Sequence, residues 1–392
     1  MKKIKILLLI LVILPFKVNA IELNISSKNA ILYNIDSNEI LYKKDSDSKV
    51  QIASLTKIMT ALVALENIQD IDKQIIITKE DFKGVTEANL VTAGFTVGET
   101  VTYRDLLYGL LLPSGADAAK ALVRNTTNTE EEFIKLMNKK VEELKLKNTH
   151  FNNTIGIDDD NNYSTAEDIL TVFKEALKNE EFSKMIKTKE YKTTDGKIVL
   201  KSTIQKNAKT FNIEVPYIMG GKTGTTSGAG LCLATVAKEK DVNYILITLG
   251  ALYDKKAPHH IEDAKTIYDY FIENYSNIKI IDKNKSFKTL KTKYAKEEKI
   301  KICPSKDVIK YLPNNYNKED VKIKYKGIEE ITPFTKEKIG KINIYYKDKL
   351  IDTQKIYLKE KIHLSIINIL KENILIIIIL ILLAIIIKRA IF

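Results

Sequence analysis

A serine and a lysine three residues apart stand in the stretch of this sequence that is best suited to chemistry. Ser54 and Lys57 belong to the run ASLTKIMTAL, in which apolar residues recur with a helical period. Because residues three apart share one face of a helix, a hydroxyl nucleophile and an amine able to take its proton would lie together. We therefore predict Ser54 as the nucleophile of an acyl-transfer reaction and Lys57 as its general base.

Two later segments provide further groups that acyl transfer needs. The first reads PSGAD and contains Ser114, which we predict to relay a proton to the leaving amine; the alternative is that Ser114 only caps the next helix. The second segment reads GKTGT. We predict that it binds the substrate through the residues Lys222, Thr223, Gly224 and Thr225.

The GKTGT segment is expected to form a sheet edge that faces the helix of the nucleophile. Its glycines leave the edge open to a substrate backbone, and the backbone N–H groups of the nucleophile and of Thr225 would form an oxyanion hole. Lys222, Thr223 and Thr225 would hold a terminal carboxylate of the substrate. Desolvation, or the charge of a nearby cation such as Lys222, would lower the pKa of Lys57 and so favour the neutral amine.

The elements that must position these groups indicate an α+β domain. Residues 30–42 predict a β-hairpin, and strand patterns return between 222 and 249. A mostly helical stretch is predicted from about 102 to 178, and a further helix over 261–275. We expect one mainly antiparallel sheet flanked by helices, with a helical subdomain, over residues 21–278.

The pattern changes from about residue 280. Short runs there alternate lysine with apolar residues, which is typical of strands with one wet face. Residues 279–360 are predicted to form a small all-β domain. This domain carries no catalytic motif, and we interpret it as a spacer between the enzyme and a membrane.

Both ends of the sequence indicate export and anchoring. Residues 1–20 combine lysines, an apolar run and small residues before a cleavage point, which predicts a signal peptide; an uncleaved anchor is the alternative. Residues 373–392 contain an apolar run followed by Lys388 and Arg389, which predicts a membrane helix; a helix lying in the interface is the alternative. The predicted location is the outer face of the cytoplasmic membrane.

Charge and composition limit the classes of partner and cofactor that the sequence predicts. The formal net charge is +12, but lysines alternate with acidic residues and no nucleic-acid motif occurs, so no nucleic-acid partner is expected. The two cysteines do not make a disulfide framework, and no Cys or His spacing indicates a metal site. No cofactor or metal is therefore predicted.

Taken in order, Ser-x-x-Lys, Ser-Gly-x and Lys-Thr-Gly resemble the motifs of penicillin-binding proteins and serine β-lactamases. The strings IASLTK, LYGLLLPSG and KTGT, together with THFNN and YSTAED, resemble the low-molecular-weight D-alanyl-D-alanine carboxypeptidases over residues 22–275. The resemblance implies a serine acyl-enzyme that removes the last D-alanine from the peptidoglycan stem pentapeptide. It also implies β-lactams as inhibitors.

The sequence departs from the family pattern at two places. Ala116 stands where the second motif usually has Asn, which predicts looser placement of the substrate. The segment 249–254 contains no arginine, although many relatives use one there to bind the substrate carboxylate. Two alternative functions stay open at this point, a β-lactamase with fast deacylation and a non-catalytic protein that binds the cell wall.

Overall fold

The computed structural model describes residues 21–391, with side chains as far as residue 389. The predicted signal peptide, residues 1–20, lies outside the described residues. The chain divides into two compact units, one up to Phe271 and one from Ile272 onward.

The first unit contains most of the helices. Its strands and helices, in chain order, are β1 (Asn29–Asn34), β2 (Glu39–Lys44), α1 (Thr56–Asn67), β3 (Gln74–Ile76), β4 (Thr100–Thr102), α2 (Tyr103–Leu111), α3 (Ala116–Thr127), α4 (Glu130–Glu143), α5 (Ala166–Ala176), α6 (Glu180–Lys187), β5 (Glu190–Lys192), β6 (Val199–Lys201), α7 (Thr203–Thr210), β7 (Ile218–Thr226), β8 (Gly230–Glu239), β9 (Val242–Ala251) and α8 (His259–Asn274).

A five-stranded antiparallel sheet lies at the centre of the first unit, in the order β2-β1-β9-β8-β7. The β1–β9 pairing joins strands more than 200 residues apart, from Asn29 opposite Leu249 to Asn34 opposite Tyr244. The sheet is antiparallel, as the sequence predicted. Strand β7, which carries the GKTGT segment, is at its edge.

Helix α1 is the central helix of this unit. Every residue from Thr56 to Ala64 is buried, including polar ones, so the helix lies within the core rather than on its surface. It packs against α2, α3, α4 and α5. The predicted helical stretch 102–178 is interrupted by residues 144–165, which form no helix. Asparagine and aspartate are frequent in that segment and favour turns over helix.

The second unit is built mainly from strands. They are β10 (Tyr275–Ile281), β11 (Lys288–Thr292), β12 (Lys299–Ile302), β13 (Val308–Pro313), β14 (Val321–Gly327), β15 (Glu330–Ile331), β16 (Lys338–Tyr346) and β17 (Lys349–Tyr357). They form three small sheets, in the orders β10-β13, β12-β11-β15 and β14-β16-β17. Alternating isoleucines, among them Ile300, Ile342 and Ile344, point into a common core while the intervening lysines face solvent.

Two helices end the described chain, α9 (Ile366–Glu372) and α10 (Ile374–Ile391). By length and composition, neither helix alone within residues 21–391 meets the requirement for crossing a membrane. The two together meet it as a pair that is bent by 71°.

Candidate active site

Ser54 and Lys57 lie at the start of α1 with their functional groups in contact. Lys57 Nζ donates a hydrogen bond of 3.1 Å to Ser54 Oγ. The sequence predicted that Ser54 lies on the α-helix itself. In the structure it lies in a short 3₁₀ turn over Ala53–Leu55, which precedes the helix. Ala53 has a φ of 47°, which costs energy for a residue with a Cβ and is frequent beside reactive groups.

Burial favours the neutral form of the Lys57 amine. The residue is 3% exposed, and burial lowers its pKa to about 7, while the negative charge of Asp117 raises it in part. Of the two causes predicted for a lowered pKa at Lys57, desolvation or the charge of a nearby cation such as Lys222, desolvation is the main one. A lysine with a pKa near neutral pH is suited to act as a general base.

The Lys57 amine also donates a hydrogen bond of 2.6 Å to the backbone carbonyl of Ile155. Asn153 Oδ1 fixes that segment by accepting bonds from the N–H groups of Ile155, Gly156 and Ile157. Gly156 has a φ of 79°, and a Cβ there would lie 2.0 Å from the carbonyl oxygen of Ala53. The THFNN motif therefore builds a loop that packs against the nucleophile's turn and positions the lysine.

Lys222 lies on β7, fully buried behind the sheet edge. Its Nζ donates to the carbonyl oxygen of Thr223 at 2.7 Å. Burial lowers its pKa well below the usual value, and the charge of Lys57 lowers it further. The two lysines are therefore coupled, and protonation of one disfavours protonation of the other.

Strand β7 approaches the nucleophile closely at Gly224. A Cβ on this glycine would lie 2.9 Å from Ser54 N and 3.0 Å from the Cβ of Ala53. Only a residue without a side chain fits between the strand and the turn without displacing one of them. The next residue, Thr225, lines the same cavity as Ser54, and Thr223 bonds to Thr203 through their hydroxyl groups at 2.7 Å.

Ser114 lies between α2 and α3 with a φ of 71°, a strained conformation for a serine. The interpretation of Ser114 as a helix cap is wrong, because the N-cap of α3 is Gly115. Asp117, which is fully buried, accepts bonds from the N–H groups of Ala93 at 2.7 Å and Gly94 at 3.2 Å. These bonds tie the first turn of α3, which follows Ser114, to the loop at residues 93–94.

Ala116 is the first residue of α3 and is 2% exposed within the apolar core. Its N–H donates to the carbonyl oxygen of Val91 at 2.8 Å. Because Lys57 already has the carbonyl of Ile155 as an acceptor, the amine does not lack a partner when Asn is absent.

A cavity of about 550 Å³ opens in front of the nucleophile. Its lining consists of Ser54, Val91, Thr92, Pro113, Ser114, Val199, Lys201, Thr203, Lys206, Asn207, Thr223, Gly224 and Thr225. Lys222 is not part of this lining. The two charged groups of the lining are Lys201 and Lys206, which sequence reasoning did not identify because the segment 199–207 carries no motif.

The structure thus brings together all seven residues that were singled out from three distant segments. Ser54, Ser114, Thr223, Gly224 and Thr225 line one cavity, while Lys57 and Lys222 lie buried beside it. Within residues 21–391, no cluster of three or more His, Cys, Asp or Glu residues is arranged to hold a metal ion. A serine beside a buried lysine, facing a glycine-rich sheet edge, defines the class of serine acyl-transferring enzymes that use lysine as the base.

Comparison with known proteins places the chain within this class. The sequence profile of the D-alanyl-D-alanine carboxypeptidase family matches residues 16–252, and that of the C-terminal domain of penicillin-binding protein 5 matches residues 275–364. The D-alanyl-D-alanine carboxypeptidase DacF of Bacillus subtilis is 31% identical over 319 residues, which cover 79% of each chain.

Two solved structures are similar as well. The Streptomyces K15 DD-transpeptidase is 32% identical, with a TM-score of 0.57, and the match covers 64% of this chain and 98% of that one. Penicillin-binding protein 5 from Haemophilus influenzae has a TM-score of 0.63 at 23% identity, over 88% of this chain and 99% of that one. At that identity the likeness shows the fold.

The chain belongs to the D-alanyl-D-alanine carboxypeptidase family of low-molecular-weight penicillin-binding proteins. The predicted family, the enzyme class of serine-type DD-carboxypeptidases, and the order of a transpeptidase-like α+β domain followed by a β domain are confirmed. The alternatives of a β-lactamase and of a non-catalytic wall-binding protein are not favoured.

Proposed function

We propose that this protein removes the terminal D-alanine from peptidoglycan stem pentapeptides through an acyl-enzyme on Ser54. The observation that carries the proposal is the 3.1 Å contact between Ser54 Oγ and a buried Lys57 whose pKa is about 7. Names of the relatives support the same reaction, since DacF and DacD are both D-alanyl-D-alanine carboxypeptidases.

In the first half of the reaction, Ser54 Oγ attacks the carbonyl carbon between the two D-alanines while neutral Lys57 takes its proton. The oxyanion is stabilised by the backbone N–H groups of Ser54 and Thr225, since Gly224 lets the strand approach the turn. The substrate backbone adds to the free edge of β7 as an extra strand. Ser114 relays a proton to the departing D-alanine, and the C–N bond breaks.

In the second half, a water molecule attacks the ester carbonyl of the acyl-enzyme. Lys57, neutral again after the proton has passed to the leaving amine, takes a proton from this water. The ester bond breaks, Ser54 Oγ regains its proton, and the shortened peptide leaves. The same sequence with a β-lactam stops at the acyl-enzyme wherever water attack is slow.

Mass spectrometry of the exported part of the chain, mixed with a peptide ending in D-Ala-D-Ala or with penicillin, tests the proposal. We expect loss of one D-alanine from the peptide and one covalent penicilloyl group on the tryptic peptide that contains Ser54. An intact peptide together with an unmodified protein would refute the proposed activity.

Lys206 is our candidate for binding the terminal carboxylate of the substrate, in place of the arginine that the segment 249–254 lacks. Lys222 is fully buried and bonded to the carbonyl of Thr223, so its amine is poorly placed to meet a ligand. Lys201 pairs with Glu190 at 3.4 Å, whereas Lys206 has no ion pair within the described part of the chain. Lys206 therefore supplies positive charge to the cavity, beside Thr223 and Thr225.

We predict that Lys206→Met raises KM for the D-Ala-D-Ala peptide about tenfold and leaves kcat nearly unchanged. A charge-assisted hydrogen bond of about 1.5 kcal/mol at a partly solvated site corresponds to that factor. Steady-state kinetics measure it, and a peptide ending in a carboxamide should show no such loss.

Lys209→Met is the matched control, because Lys209 lies on the same helix α7 but lines a different cavity. Its KM should equal that of the wild type. An equal rise of KM in both variants would show that the effect comes from the total positive charge of helix α7 and not from Lys206. An unchanged KM in Lys206→Met would show that Lys206 does not bind the substrate carboxylate.

We also propose that the chain is exported and anchored as the sequence suggested, with a signal peptide over 1–20, a catalytic domain over 21–278, a β domain over 279–360 and an anchor over 373–392. The run of exposed isoleucine and leucine in α10 supports the anchor, because such a surface is unfavourable in water. Lys388 and Arg389 would remain on the cytoplasmic side.

Ending the chain after Asn373 is predicted to release an active protein into the medium. This cut retains Ile362, which is buried in the core of the second unit, and the bond from Asn368 Nδ2 to the carbonyl of Ala295. A cut near Lys361 would remove both and destabilise the β unit.

Fractionation with penicillin labelling measures the outcome. The full chain should sediment with membranes, and the shortened chain should be labelled in the supernatant. A shortened chain that stays with the membranes after removal of the signal peptide would place the anchor elsewhere.

A further inference from the structure

Phe334 is the most exposed of the large apolar residues in the described part of the chain, at 78%. It lies in a tight turn over residues 332–335, three residues after the fully buried Ile331. The turn is closed at both ends, since Thr332 N donates to Thr335 Oγ1 at 2.8 Å and Thr335 N donates to the Thr332 carbonyl at 3.0 Å. The ring is thus held outward by the backbone of the turn.

A chain of hydrogen bonds links this turn to the start of the C-terminal helices. Lys293 N donates to the carbonyl of Ile331 at 2.8 Å, which joins the segment 293–297 to β15. On its other side, Ser365 N donates to the carbonyl of Tyr294 at 2.9 Å, and Lys296 N donates to that of His363 at 2.8 Å. Phe334 and the entrance to α9 therefore lie at the same end of the second unit.

Charges support this arrangement. Lys293 interacts electrostatically with Glu330, four residues before Phe334, and with Glu372, the last residue of α9. Lys293 thus has one carboxylate from the strand that leads into the turn and one from the end of α9 within electrostatic range.

The apolar surface at this end continues from the turn into the helices. Its exposed members, which we call the apolar tip, are Phe334, Leu364, Ile366, Ile367 and Leu370. Directly after α9 the chain enters α10, whose side chains are almost all apolar as far as Ile387. One residue separates α9 from α10. A lipid bilayer into which α10 is inserted would therefore lie next to the apolar tip.

We infer that the turn carrying Phe334 inserts into the membrane interface and forms, with α9, a second point of contact that orients the β unit on the bilayer. This inference rests on the proposed anchoring by α10. Phenylalanine and leucine are the apolar residues by which interfacial segments bury about 5–10 Å into the boundary between headgroups and acyl chains, so the ring would leave water without entering the hydrocarbon centre. Two contacts at one end would hold the unit at a fixed angle, which a single helix joined by a flexible link does not do.

The chain contains no tryptophan, so a single introduced indole reports its own environment. We propose to make Phe334→Trp in the full mature chain and to reconstitute it into phosphatidylcholine and phosphatidylglycerol vesicles, with or without bromine on the upper acyl carbons. The expected result is a shift of the emission to shorter wavelength and loss of most emission in the brominated vesicles.

Leu350→Trp is the matched control. Leu350 is 50% exposed in the same unit, but it lies near the far end of β17. Seven residues of extended chain separate it from Tyr357, or about 23 Å at roughly 3.3 Å per residue. Its emission should remain that of an indole in water and should resist the brominated lipid.

Each outcome separates the orientation of the β unit from the anchoring and from the activity. Co-flotation of the protein with both indoles unquenched would overturn the inference and leave the anchor in place. Quenching of both indoles would mean that the unit lies flat on the lipid, which also overturns the inference. Failure to float would overturn the anchor and the inference together. Penicillin labelling of the same samples reports on the active site independently of all three.

Discussion

Replacing Ser54 by alanine is expected to abolish covalent labelling by penicillin and to reduce D-alanine release by roughly 10⁶-fold, to the background of the assay. The alanine has no oxygen to attack the carbonyl. The other hydroxyl groups in the cavity, on Thr92, Ser114, Thr203, Thr223 and Thr225, lack the hydrogen bond with the Lys57 amine that Ser54 has. Gel fluorescence with a labelled penicillin and quantification of free D-alanine measure the two losses.

The control for this prediction is a serine that lies away from the cavity. Ser276 is on β10 and bonds through its hydroxyl to Asn314. Ser276→Ala should keep full labelling. If the Ser54→Ala protein is folded and still forms a penicilloyl adduct, peptide mapping would show which residue carries it, and the assignment of the nucleophile would be wrong.

The sequence was sufficient to predict the parts of the site that act through local spacing. The Ser-x-x-Lys separation places Ser54 and Lys57 on neighbouring turns whatever surrounds them, and the glycines around Lys222 indicate an edge that must remain uncovered. The alternation of lysine with isoleucine likewise predicted the strands of the second unit. Each of these patterns is contained in a few consecutive residues.

Contacts across the fold were not predictable in the same way. The carbonyl of Ile155 holds the Lys57 amine, yet any residue type can present a carbonyl, so no side chain marks it. Lys206 belongs to a short helix that was not predicted, and lysine is common throughout this chain. Whether such a lysine faces solvent or a cavity depends on how α7 packs against β7, which is a property of the tertiary structure.

The burial of two lysines near each other has a cost that explains why this site is reactive. Removing an ammonium group from water is unfavourable, and both Lys57 and Lys222 respond by a lowered pKa. At Lys222 the charge of Lys57 adds to the effect. The positive φ values at Ala53 and Ser114 add a cost in backbone strain. The buried lysines and this strain together give the site a higher free energy than a better packed, inactive arrangement would have.

Replacing Lys57 by methionine is therefore predicted to have opposite effects on activity and on stability. Loss of the general base should lower the acylation rate by about 10²–10⁴-fold. In the wild type this rate should rise with pH through about 7, because deprotonation of Lys57 generates the active form. The methionine variant should lose that pH dependence. Stopped-flow measurement of penicillin acylation between pH 5 and pH 9 tests both statements.

The sign of the stability effect follows from the direction of the pKa shift. Lys57 has a lowered pKa of about 7 in the folded protein and an ordinary value of 10.5 when unfolded. Between these values the unfolded chain binds the extra proton, so the free energy of unfolding rises as pH increases from about 7 to about 10.5. Below about pH 7 the free-energy cost of burying Lys57 is fully present. Lys57→Met removes it, so the gain in Tm should be larger at pH 7 than at pH 10. An inactive variant with a gain in Tm that does not change with pH would mean that Lys57 is charged in the folded enzyme and cannot be the base.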